Sequence, residues 1–167
     1  RFLKTVVVGA AALPFVGLPL AAVATDDAPA RQRALRLFPQ SVASGDPRPD
    51  RVMLWTRAPA ADGRDVPLRL EVADDADFRQ LRVQRDLLAE AAADHCLRVR
   101  VTGLEPGRRY HYRFLRQIDG VWQASPIGRT RTAPADDAAA RARFAVVSCQ
   151  AYNGRWYNAL RPLLDES

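Results

Sequence analysis

Between Arg51 and Thr132 the chain is a series of short segments in which apolar and polar residues alternate, the period-two pattern of half-buried β-strands. Arg51-Val52-Met53-Leu54-Trp55-Thr56-Arg57 predicts a strand, and Pro59 to Gly63 break it. Leu68-Arg69-Leu70-Glu71-Val72-Ala73 alternates cleanly and sets Leu68, Leu70 and Val72 on one face. Phe78 to Leu87 continues the pattern less regularly. His95 to Thr102 turns Leu97, Val99 and Val101 inward and Cys96, Arg98 and Arg100 outward. Tyr110 to Arg116 and Gly128 to Thr132 supply the last two strands. Ser44-Gly45-Asp46-Pro47-Arg48-Pro49-Asp50 predicts a turn cluster. Residues 25–37, polar and alanine-rich, predict a linker with room for a helical turn. Strands recurring at about a dozen residues predict an all-β, two-sheet sandwich.

One local signature sharpens this. Leu104-Glu105-Pro106-Gly107-Arg108-Arg109-Tyr110 has the L-x-P-G-x-x-Y form and resembles the crossing between sheets of a fibronectin-III/Ig-like domain. There the tyrosine hydroxyl bonds back to the corner backbone. Proline fixes φ and glycine takes the tight turn, so each residue type has a mechanical reason to be present. Trp55 then reads as the large core aromatic between the sheets; its alternative is a stacking platform for a sugar or base.

The two ends of the chain follow other patterns. Thr5 to Ala24 is uncharged, follows the basic Arg1-Phe2-Leu3-Lys4 and closes on Ala22-Val23-Ala24. These are the parts of a secretory signal peptide, with cleavage expected after Ala24. Pro14, Pro19, Gly9, Gly17 and many alanines make the segment a poor membrane anchor, so no stable anchor is expected. Arg1-Phe2-Leu3-Lys4 resembles the tail of a twin-arginine export motif, which implies the twin-arginine export machinery as a partner and a periplasmic or extracellular destination. At the other end, Phe144-Ala145-Val146-Val147-Ser148-Cys149-Gln150 reads as a strand buried on both faces. Gln150 to Arg155 reads as a loop, and Trp156 to Leu164 as a helix with Trp156, Leu160, Leu163 and Leu164 on one side. Strand, loop and helix open an α/β unit. The expected divisions are a signal peptide over 1–24, a linker over 25–37, a sandwich over 38–134, a linker over 135–142, and the incomplete start of a second domain over 143–167. Without partner strands, residues 143–167 are expected to be poorly ordered or docked opportunistically.

Charge and candidate chemistry narrow the function classes. The 25 basic and 19 acidic side chains leave a net charge of +6, and every basic residue but Lys4 is arginine. They are scattered along the chain, whereas nucleic-acid recognition needs a patch or stripe, so no nucleic-acid partner is expected. Cys96 and Cys149 fall in different expected domains, which disfavours a disulfide. Cys149 reads either as a small buried hydrophobe or as a metal ligand at the carboxyl end of a strand, where ligands of α/β sheets gather. His95 and His111 sit among strand residues with no acid or cysteine at ligand spacing and read as ordinary strand or surface residues. Asp46 and Asp50 flank prolines and are expected to bond local backbone N–H groups. No phosphate-cradling glycine loop and no G-x-S-x-G elbow occurs. No catalytic residue is expected within the chain.

Several of these segments, in order, resemble the PhoD-type alkaline phosphatase family. They are Phe38 to Pro47, Val52 to Arg57, Val101 to Gly107, Tyr110 to Phe114, Gly128 to Pro134 and Phe144 to Gln150. The resemblance covers roughly residues 38–164. It implies a fibronectin-like amino-terminal domain followed by a calcineurin-like metallophosphatase domain. It also implies that Cys149 is an iron (Fe3+) ligand, with calcium ions on oxygen ligands in later motifs such as G-D-x-x-Y. The substrate it implies is a phosphate monoester or diester, attacked by a metal-activated hydroxide or oxide. The chain alone is expected to be inactive. A purple acid phosphatase would instead show an aspartate motif where this chain has Ser148-Cys149-Gln150. The rival class is a secreted fibronectin-like module binding carbohydrate or a cell-wall partner, which leaves Phe144 to Leu164 unexplained.

Overall fold

The inner face of the first hairpin is decided by Val52, Leu54 and Thr56, which alternate with half-buried residues along β2 (Arg51–Arg57). The computed structural model describes residues 28–141, together with 145–147, Leu160 and Leu163. β2 pairs antiparallel with β1 (Val42–Arg48) on one side and β5 (Cys96–Thr102) on the other, giving a three-stranded sheet. The second sheet runs β4 (Leu81–Ala89), β3 (Val66–Ala73), β6 (Arg109–Ile118). Its far edge is shared by β7 (Val121–Ala124), on the second half of β6, and β8 (Gly128–Arg131), on the first half.

The core lies between the sheets. Leu68, Leu70 and Val72 of β3, with Val99 and Val101 of β5, are buried as their alternation predicts. Tyr110, Tyr112 and Phe114, at alternate positions of β6, provide the large aromatic volume. Trp55 does not. The two-residue period that buries Leu54 opposite Val99 sends Trp55 to the outer face beside Arg98, where it is half buried.

β5 and β6 belong to different sheets, and the chain crosses between them through Leu104 to Arg108. The Glu105 N–H donates to the Tyr110 hydroxyl at 2.8 Å, which is the expected tyrosine corner. Gly107 takes a left-handed φ of 66°, open to glycine at no steric cost. The two residues after β8 clamp the same corner: the Thr132 hydroxyl donates to Glu105 O at 2.6 Å, and Gly107 N–H donates to Ala133 O at 2.8 Å. Ala133 N–H reaches Arg48 O at 3.1 Å and ties the edge of one sheet to the edge of the other.

Other expectations change. Residues 25–37 hold more than a turn: α1 spans Ala28–Leu37, and Phe38 behind it is fully buried against the core. The turn cluster at Ser44 to Asp50 is largely edge strand β1. A register shift between Gly45 and Arg48 absorbs Pro47, and Asp46 turns left-handed at φ 42°. Phe78 is not in a strand but at φ 58° in the β3–β4 loop. The Asp75 carboxylate accepts the N–H groups of Asp77, Arg79 and Gln80, and so shapes that loop. Beyond residue 134, Phe144 and Ser148 to Gln150 lie outside the described residues, while Ala145–Val147 joins no strand and Val146 is 91% exposed. Strand burial needs partner strands, and none pairs with it among the described residues.

Candidate functional site

Two charged regions occupy the outer face of the five-stranded sheet. The first is closed on itself. Glu71 on β3, only 7% exposed, takes Arg113 Nε of β6 at 2.8 Å and Gln84 Nε2 of β4 at 3.1 Å. The Arg113 guanidinium lies 4.0 Å from the Phe78 ring. Arg69 pairs with Asp86 at 2.7 Å, which holds the Asp86 carboxyl below the usual carboxylate range, and it also lies over Trp122. Asp74 receives Arg82 and Arg108, and Arg108 also pairs with Glu105. Each of these guanidinium groups meets a carboxylate.

The second region is different. Register places Arg109 opposite Arg131 and His111 opposite Arg129, so four basic side chains share one face of β6 and β8. They border a cleft of about 620 Å³ where the edge of β8 approaches Ser44, Gly45 and Pro47 on the edge of β1. Among the described residues, no acidic side chain lines it. The Arg131 Nε donates to Gly107 O at 2.9 Å, a neutral partner. The His111 Nδ1 is buried and has no hydrogen-bond partner among the described residues. Beneath the cleft the Tyr112 hydroxyl bonds Ser44, while the Tyr112 ring lies against Gly128 so closely that a Cβ there would sit 2.2 Å from Cζ.

The residues singled out from sequence are placed as follows. Cys149 and Ala24 lie outside the described residues. Cys96 is a half-buried free thiol on the outer face of β5. His95 precedes β5 at φ 54° rather than lying in it, is buried, and its Nε2 lies 2.9 Å from Arg64 O. The Asp46 and Asp50 carboxylates pair with the neighbouring Arg48 and Arg51 side chains at 3.1 Å, not with local N–H groups. The arginine cluster goes beyond what the sequence led one to expect, because charge scattered along a chain need not be scattered in space. Its signal lies in the alternation of Arg109-Tyr110-His111 and Arg129-Thr130-Arg131, which needs only strand pairing to become one surface. Among the described residues no group of three or more His, Cys, Asp or Glu could hold a metal ion. The sandwich therefore does not itself fit iron or calcium. No helix of the described residues is long and apolar enough to cross a membrane.

Known proteins resemble this chain consistently. Residues 22–134 match the family described as "PhoD-like phosphatase, N-terminal domain". Alkaline phosphatase D of Bacillus subtilis (strain 168) is 37% identical over 137 residues, an alignment taking in 77% of this chain and 23% of that protein. A solved structure of PhoD superposes with a TM-score of 0.53 at 38% identity, covering 59% of this chain and 19% of the other. The chain thus spans less than a quarter of the length of the curated relative it matches.

Proposed function

This chain belongs to the PhoD-like phosphatase family, and we propose that it is the amino-terminal part of an exported, metal-dependent alkaline phosphatase acting on phosphate monoesters or diesters. The observation that carries this reading is the 37% identity to alkaline phosphatase D across most of the chain. In this reading the sandwich over 38–134 is a non-catalytic module, and catalysis belongs to the metallophosphatase segment that begins near residue 143. Cys149 is the residue of this chain that would ligate iron, since a soft thiolate suits iron better than calcium. Export follows the twin-arginine route, with processing after Ala24.

The reading is tested on the protein expressed from its complete gene and supplied with iron and calcium. Hydrolysis of a chromogenic phosphomonoester or phosphodiester is expected, lost on chelation and restored by metal. Absence of hydrolysis of both, or hydrolysis indifferent to chelation, would overturn it.

A further inference from the structure

We propose that the cleft between β1 and β8 binds a phosphate-type oxyanion, held by Arg109, Arg129 and Arg131. Three observations converge on it. The first is charge. Like charges set directly opposite each other on paired strands destabilise a sheet, and Arg109 faces Arg131. The fold answers Arg69, Arg113, Arg82 and Arg108 with Asp86, Glu71, Asp74 and Glu105. Arg109 and Arg131, like Arg98 and Arg100 on the other sheet, meet no carboxylate among the described residues, and of these four only Arg109 and Arg131 face each other across a strand pair. Arg109 in particular has no hydrogen bond or ion pair there.

The second observation is the cleft itself. Its size, about 620 Å³, suits a small-molecule site, and its lining mixes cationic side chains with the edges of two sheets. The third is His111, which lines the same cleft and carries a buried Nδ1 with no partner. Buried polar atoms are ordinarily hydrogen-bonded, so this one has capacity for a water, an ion or a ligand in the cleft.

The geometry favours a tetrahedral oxyanion over a carboxylate. One guanidinium saturates a carboxylate through two parallel bonds, whereas a phosphate group offers oxygens to several forks at once. The site needs no metal and performs no chemistry. Its role rests on the phosphatase reading only in that it would bind the phosphate group of the esters that reading assigns to the enzyme.

The test uses this chain with metals chelated, so that its failure leaves the phosphatase reading untouched. Inorganic phosphate is titrated against backbone amide resonances and against the melting temperature. Saturable binding is expected, with the largest shifts in β6 and β8. Arg109→Gln should weaken it about tenfold or more, as expected for loss of a charge-assisted bond. Because Arg109 bonds nothing among the described residues, that variant should melt no lower than wild type. Arg98→Gln, on the outer face of the other sheet, removes the same charge and should bind normally. Absence of saturable binding would overturn the site. So would equal weakening by Arg98→Gln, equally tight binding of acetate, or a lowered melting temperature in Arg109→Gln.

Discussion

Tyr112 shows how one side chain couples packing to pH. Burial pushes its hydroxyl up to about 12 from an ordinary 10.0, against the opposing bond to Ser44. The folded state therefore favours the neutral phenol. The stability this adds is fully present below pH 10 and drains away as pH rises from 10 to 12, because the unfolded chain releases its proton first. Urea denaturation across that interval should show stability falling, and Tyr112→Phe should remove part of the slope. An unchanged slope in the variant would contradict the burial of this group. Exposed carboxylates such as Asp62 and Asp94, held low by Arg64 and Arg57, act in the opposite direction and matter only in acid. Single residues are only partly legible in the sequence. Leu70 and Val99 declare their faces by alternation. Trp55 does not, because size argues for the core while the two-residue period of its own strand sends it out.

Among the elements, the corner between β5 and β6 does most to join the sheets. Its hydroxyl bond closes within a seven-residue motif, which is why the role of Tyr110 is legible from the sequence. Tyr110→Phe keeps the ring and leaves the Glu105 N–H without its acceptor. The loss should be about 1–2 kcal/mol in denaturant unfolding of this chain, with the β-rich circular-dichroism spectrum retained. A variant as stable as wild type would mean that the corner is held by Thr132 and Ala133 alone. β2 is legible to its ends, being central in its sheet and alternating throughout. β1 is hidden because Gly45, Asp46 and Pro47 are turn residues used here in the irregularity of an edge strand, where a proline blocks no ladder. α1 is hidden because it has no acidic residue in its first turn and buries little besides Ala34. Its place is secured by Phe38 behind it, a tertiary contact no local pattern announces.

Across the molecule, local patterns specify the sandwich and only pairing reveals its surface chemistry. Arginines distant in sequence become neighbours when β6 and β8 align, so the basic cleft cannot be found by counting charge. Cys149 is the reverse case: nothing in its spacing separates packing from ligation, and the iron-ligand role proposed for it rests on family resemblance alone. A phosphatase whose iron is held in part by that thiolate should fail without it. The decisive measurement is iron content alongside phosphodiester hydrolysis, for wild type and Cys149→Ala expressed from the complete gene. The variant should lose its iron and nearly all hydrolysis while the sandwich melts as in wild type. A variant that keeps both iron and rate would refute the assignment and leave Cys149 as a packing residue.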